Sequence, residues 1–307
     1  MRSLQKNNIM PITGLSRWFF FEQPGFVARD KMAKVSSTNR ELTVNVPRYT
    51  LTTKGINDHP KVLMYINAIN EDTGFPGFKV PDEGELDYEA KISVETYGTE
   101  KNLFNAPASD FRLSSGGMVT IDFDTFTVYD FFITSSKAYV LYERLPFDQK
   151  VKDPSAFFTY VLPVSEIQPG VKHRYKLSYN KSRYQVHYYI DGKRVFVVNE
   201  FGRRLPKDYD DFLQFKEPPG SGNPDNLPLV KSNQRLTGVG LFTMLDGGIR
   251  HGEELANIHD PTLEHSKKVF GQGGKIVVSD IVVGTKMNEL SYDRMLEDTD
   301  DKGPPPE

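Results

Sequence analysis

Three aspartates stand inside stretches that otherwise read as β-strands. Between Phe111 and Leu145, FRLSSGGMVTIDFDTFTVYDFFITSSKAYVLYERL, Asp122, Asp124 and Asp130 interrupt runs of β-branched and aromatic residues. Aspartate is depleted in strands, so acids in these positions need a reason. Asp122 and Asp124 are two residues apart, which puts them on one strand face about 7 Å from each other. The next stretch is rich in Phe, so their surroundings are expected to be partly dry. Dryness raises a carboxyl pKa, and two close carboxylates drive their values apart. One acid can then keep its proton near neutrality and donate it while the other accepts. Asp122, Asp124 and Glu95 are therefore the candidate catalytic residues. Tyr97, Tyr142, Arg144 and His187 are the candidate substrate-binding residues, with Tyr142 and Arg144 sharing a face from which to steady developing negative charge. The plainer alternative is that the acids pair with Lys91, Arg144 or backbone amides on an ordinary surface.

Strands must carry these residues. Val119 to Thr125 alternates, with Val119, Ile121 and Phe123 on one side and Thr120, Asp122 and Asp124 on the other. Period two is the strand signature. Phe126 to Thr134 is aromatic and β-branched, and Ala138 to Arg144 alternates again. Upstream, Leu42 to Val46 and Val62 to Ile66 read as strands. Leu86 to Tyr97 is cleanly amphipathic, with Asp87, Glu89, Lys91, Ser93, Glu95 and Tyr97 on its polar side. Downstream, Phe157 to Val164 is an aromatic-rich strand. A meander follows: His173 to Tyr179, a turn at Asn180 to Arg183, Tyr184 to Ile190, the Asp191-Gly192 hairpin turn and Arg194 to Val198. Gly238 to Leu245 and Lys275 to Val283 close the series. No long stretch has apolar residues at helical spacing. About a dozen short strands with turns between them predict an all-β antiparallel sandwich with long surface loops.

The expected organisation is an N-terminal arm over 1–40 packed on the sandwich, a sandwich domain over 41–285, and a largely disordered tail over 286–307, whose end EDTDDKGPPPE is acidic and proline-rich. The segments 203–235 and 246–270 lack sustained periodicity, and connections of that length read as lids or insertions.

Composition excludes several classes. The chain has 307 residues, a net charge of -3 and no cysteine. Thiol catalysis, disulfides and zinc–thiolate sites are ruled out, and no basic footprint for nucleic acid exists. The apolar run Trp18 to Phe21 is too short for a signal-peptide core. No run approaches the roughly 18 residues of a membrane span. A cytoplasmic location and no membrane partner are expected. His251, His259 and His265 share one loop with acids but have none of the zincin spacings, so no metal site is assigned.

Two segments resemble the concanavalin A-like lectin/glucanase superfamily. The meander ending in YYIDGKRV is similar to its hairpin with a D-G turn, and Tyr88-Glu-Ala-Lys-Ile92 is similar to the strand that leads toward the glucanase catalytic strand. KIVVSDIVVG resembles the closing strand of those folds. ETYGT, the FRLSSGGMVTIDFDT region with YDFF, LYERLPF and FGQGG resemble an uncharacterised microbial family of the same type. The resemblance covers most of residues 75 to 285 and implies a jelly-roll sandwich. It also admits a structural Ca²⁺ held by loop acids; no other cofactor is expected. It does not bring the retaining glucanase reaction with it. That reaction needs E-x-D-x-x-E, and the nearest match here, Thr120-Ile-Asp122-Phe-Asp124-Thr125, has threonine where the nucleophile and the acid belong. Gln185-Val-His187 is similar to a triplet of jelly-roll alginate lyases, but its companion segments are missing.

These residues lead to an expected function: an intracellular, cofactor-independent enzyme of isomerase or cyclase type, using strand acids on a small, largely apolar substrate in a β-sandwich cleft. The alternatives are a carbohydrate-binding or glycan-cleaving sandwich and a non-catalytic interaction module. The expected partner is a small-molecule ligand, and the oligomeric state is left open.

Overall fold

The computed structural model describes residues 18–22, 29–38, 40–52, 60–147, 156–214, 227–245, 249–251, 254–256 and 268–286. Strands are numbered along the chain. One sheet of eight strands runs β1 (Trp18–Phe21), β4 (Lys61–Ile66), β14 (Gln234–Phe242), β7 (Ser115–Asp122), β8 (Thr127–Ile133), β9 (Lys137–Arg144) and β10 (Phe158–Glu166), with β5 (Phe78–Lys79) also pairing with β14. The second, of seven strands, runs β13 (Lys193–Val198), β12 (Gln185–Ile190), β11 (His173–Asn180), β6 (Glu85–Tyr97), β17 (Gly273–Lys286), β3 (Glu41–Val46) and β2 (Lys34–Ser37). A short ribbon pairs β15 (Ile249–His251) with β16 (Glu254–Ala256). Every pairing is antiparallel. Helix is confined to short 3₁₀ turns such as Thr99–Lys101 and Lys207–Phe212. The expected antiparallel β-sandwich of jelly-roll type is what the chain forms.

The β11–β12–β13 meander follows from its turns. Asp191 and Gly192 take φ of 50° and 79°, the left-handed geometry that a two-residue hairpin requires. Strand β6 is the long central strand of its sheet. Its even-numbered residues Leu86, Tyr88, Ala90, Ile92 and Val94 are buried in the core, and β17 lies beside it for most of its length. Trp18 to Phe21 forms the edge strand β1, with Trp18 turned into the core. The Lys34–Ser37 strand was not foreseen.

The main core lies between the sheets and is rich in tyrosine. Two of these tyrosines tie the layers together: Tyr88 of β6 donates to the Gly238 carbonyl at 2.9 Å, and Tyr188 of β12 donates to the Leu141 carbonyl at 2.8 Å. A buried phenol needs such a partner, and a backbone carbonyl on the opposite sheet supplies it without opening that sheet's ladder.

A second apolar cluster covers the other face of the eight-stranded sheet. It includes Leu63, Tyr65, Val119, Ile121, Val128, Phe132, Tyr139, Leu141 and Val161, and Phe111 stacks on it against Phe132 and Tyr139 at 5.6 and 5.1 Å. An antiparallel sheet with one face in water shows polar residues on that face. Here both faces of one sheet are apolar, and the residues of the outer cluster are buried as well as those of the inner one.

Candidate functional site

The residues expected to share a cleft lie in separate places. Asp122 points into the sandwich, 1% exposed, and its oxygens accept from the Asp124 amide at 2.8 Å and the Thr125 hydroxyl at 2.9 Å. It holds the β7–β8 turn. Asp124 is exposed in that turn. Glu95 and Tyr97 lie on the outer face of the seven-stranded sheet, where Glu95 faces Lys275 at 3.3 Å. Burial, with Glu95 nearby, raises the Tyr97 phenol above its usual range. His187 lies on that same outer face, with Nδ1 3.7 Å from Glu85, and burial lowers its pKa. The seven-stranded sheet thus carries Glu95, Tyr97 and His187 on its outer face, and that sheet separates them from Asp122 in the interior. Thr120 and Asp122 do share one strand face, and that face is the interior.

Tyr142 and Arg144 are interior as well. The Tyr142 hydroxyl accepts from the Gly202 amide at 2.7 Å and donates to the Arg203 carbonyl at 2.8 Å, and Arg144 Nη1 reaches the Gly202 carbonyl at 3.4 Å. Tyr142 pins the 202–203 segment and has no surface left for a ligand. Tyr142→Phe should destabilise the fold by about 2 kcal/mol, because a buried N–H and C=O lose their partner together. Urea denaturation checks it, and a loss under about 0.5 kcal/mol would mean the segment is held by other contacts.

The acid best placed for chemistry is Asp130. On the outer face of the eight-stranded sheet, Phe19 stands opposite Tyr65, Tyr65 opposite Gly238, and Gly238 opposite Val119. Across the β7–β8 seam, Asp130 stands opposite Leu141, and Leu141 opposite Val161. Asp130 is therefore a carboxyl in the middle of an apolar row, 5% exposed. Its Oδ1 accepts from the Thr120 amide at 2.6 Å. The Thr120 hydroxyl in turn donates to the Tyr129 carbonyl at 2.7 Å. Side chains thus take over the seam at this point, where the ladder passes from Met118–Phe131 directly to Ile121–Val128. Burial pushes the Asp130 carboxyl well above the usual carboxylate range, and the Glu143 charge adds to that. The Thr120 amide, Arg235 and Lys61 oppose it.

Glu143 is the second acid of this face. It lies opposite Val128 and is a diagonal neighbour of Asp130, about 7 Å away by sheet geometry. Its Oε1 accepts from the Thr159 hydroxyl at 2.6 Å. Close by, Leu145 donates to the Phe126 carbonyl, and a chain of aromatic rings crosses the turn: Phe21 to Phe123 at 5.9 Å, Phe123 to Phe126 at 6.4 Å, Phe126 to Phe147 at 5.9 Å. Phe123 is 36% exposed. Phe126 has φ of 50°, a conformation a bulky side chain adopts only where the surroundings hold it. Composition flagged Asp130 as out of place in a strand. Glu143 gave no such signal, because its partnership with Asp130 needs the strand register.

Among the described residues no group of three or more His, Asp or Glu could hold a metal ion, and no helix is long and apolar enough to cross a membrane. His259, His265 and the 215–226 part of the long connection lie outside the described residues, as does the acidic tail.

Comparison with known proteins supplies the family. Uncharacterized protein L829 of Acanthamoeba polyphaga mimivirus is 31% identical over 123 residues, covering 37% of this chain and 26% of that relative. Among solved structures, the catalytic domain of an endo-1,3-beta-glucanase (laminarinase) from Thermotoga petrophila is 10% identical, covers 92% of this chain and 100% of that one, and has a TM-score of 0.47. Beta-agarase B from Zobellia galactanivorans is 14% identical, covers 89% and 94%, and has a TM-score of 0.46. These are likenesses of architecture alone. The expected isomerase or cyclase is corrected here. The acids on which that expectation rested do not meet in a cleft: Asp122 holds an interior turn and Glu95 lies on the outer face of the other sheet. The model of a family of unknown function, DUF6081, matches residues 9–287, and the chain belongs to that family.

Proposed function

We propose that the outer face of the eight-stranded sheet is a glycan-binding face, and that Asp130 and Glu143 are its acid–base pair. The observation that carries this is a buried carboxyl, Asp130, beside a second carboxyl on a sheet face that is otherwise apolar and aromatic. Aromatic rings suit the C–H faces of sugar rings, while a few convergent polar groups fix orientation. Two carboxyls flanking a glycosidic bond supply the rest of the chemistry.

The roles follow from environment. Asp130, dry and with its pKa raised, holds a proton and gives it to the leaving oxygen. Glu143, less buried and steadied by Thr159, accepts a proton from water. Diagonal placement on one face leaves room for a water between the two side chains, the arrangement that inverting glycosidases use. The chain from Phe21 to Phe147 would seat successive sugar units beside the pair.

The test is a screen of neutral oligosaccharides by calorimetry and reducing-end release, with NMR following the anomeric configuration of any product. Cleavage with inversion is expected. Binding without cleavage would reduce the reading to a binding face, and neither binding nor cleavage across the panel would end it.

A further inference from the structure

Behind Asp130, on the interior face of the same sheet, lies an arginine with 0% exposure. Arg235 of β14 donates from Nη2 to the Thr120 hydroxyl and from Nη1 to the Thr127 hydroxyl, each at 2.9 Å, and its guanidinium lies 4.1 Å over the Tyr129 ring. Its Nε has no hydrogen-bond partner among the described residues. Both hydrogen bonds go to neutral hydroxyls. A buried cation held this way is costly unless its charge is used.

On one side Thr127 and Thr125 connect the guanidinium to the buried Asp122 carboxylate; on the other the Thr120 link carries it across the seam to Asp130. Because Arg235 donates to it, the Thr120 hydroxyl must accept there and send its own proton to the Tyr129 carbonyl. That occupies the Tyr129 carbonyl and leaves the Thr120 amide for Asp130. The guanidinium thereby fixes which group each partner serves on both sides of the seam, and it adds a positive charge behind the carboxyl.

We propose that Arg235 is a positioning residue for the Asp130 carboxyl, acting through Thr120 from the opposite face of the sheet. Its catalytic meaning rests on the reading of Asp130 given above; its effect on the carboxyl does not. Other titratable groups share the field at Asp130: Glu143 from β9 and Lys61 and Tyr65 from β4, with Tyr88 and Tyr188 of the facing sheet acting through the sheet. Of Lys61 and Arg235, the two cations that oppose the rise at Asp130, Arg235 is the one that hydrogen-bonds to the residue donating to that carboxyl.

The experiment is a pH titration of the Asp130 side-chain carbon by NMR, assigned with Asp130→Asn, on the full chain and three variants. Arg235→Met removes the charge at similar volume. Thr120→Val removes the link but leaves the charge. Thr127→Val removes the other hydrogen bond of Arg235 and leaves the link intact. Arg235→Met should raise the proton affinity of Asp130 by about tenfold or more, Thr120→Val should raise it in the same direction, and Thr127→Val should leave it where it was. If Arg235→Met does not fold, the two threonine variants decide. An Asp130 midpoint unmoved in Arg235→Met or in Thr120→Val, or moved as far by Thr127→Val, would overturn the proposal. Because the readout is the carboxyl itself, a protein that turns over no glycan still returns an answer. Turnover with an unmoved midpoint would sink this inference and leave the glycan reading standing.

Discussion

Asp130→Asn should abolish at least about 99% of any glycan-cleaving rate while leaving the fold intact. The amide keeps an oxygen for the Thr120 N–H and loses only the transferable proton. Stability should move the other way, and its pH dependence gives the sign. Burial raises the folded-state pKa of Asp130 above its unfolded value of about 4. Between those two values the folded state binds a proton that the unfolded state has released. Wild-type stability from this group is therefore present below about pH 4 and is lost as pH rises toward the folded pKa. Asparagine has no such loss. The melting-temperature difference between Asp130→Asn and wild type should widen in favour of the variant as pH rises from 4 to 8. A constant difference would mean that Asp130 titrates normally, and the acid role would fall with it. Glu143→Gln should lower the rate comparably, with less effect on stability, since its carboxylate is less buried and already satisfied by Thr159.

The sheet pattern was legible because most strands obey one rule. Strand β6 alternates from Glu85 to Ile92 and the Asp191-Gly192 turn fixes the meander. Strand β7 defeated the same rule. Its Val119 and Ile121 look like the inward set and its Thr120 and Asp122 like the outward one, yet the structure has them reversed. The reason is that both faces of this sheet are covered. The interior at this end is a polar island of Arg235, Thr120, Thr127 and Asp122, and the exterior is apolar. Binary pattern tells inside from outside only when one side is water. Arg235 escaped notice because the 203–235 stretch read as a loop, whereas β14 begins at Gln234. Asp130 drew attention by type alone. Its pairing with Glu143, thirteen residues away, follows from the β8–β9 register, which no local pattern reveals.

Gly238→Ala should be strongly destabilising, costing about 3 kcal/mol and lowering the melting temperature by roughly 6–12 °C. Gly238 sits in β14 between β4 and β7. A Cβ there would lie 2.3 Å from the Met64 carbonyl oxygen and 2.7 Å from Cδ1 of the Tyr65 ring. The first contact is backbone, so no rotamer change relieves it. The Tyr65 ring would also have to leave the row it shares with Gly238, and the Tyr88 hydroxyl would lose its aim at the Gly238 carbonyl as the strand moved. Gly192→Ala is the control. It has φ of 79° and nothing within 4 Å of its added Cβ, so it bears backbone strain alone, about 1 kcal/mol. If thermal melts rank the two the other way, β14 is not packed against β4 as tightly as this geometry requires. If they rank as expected, Tyr65 is held in place by the absence of a side chain at Gly238. The outer face that carries Asp130 would then owe its shape to that glycine.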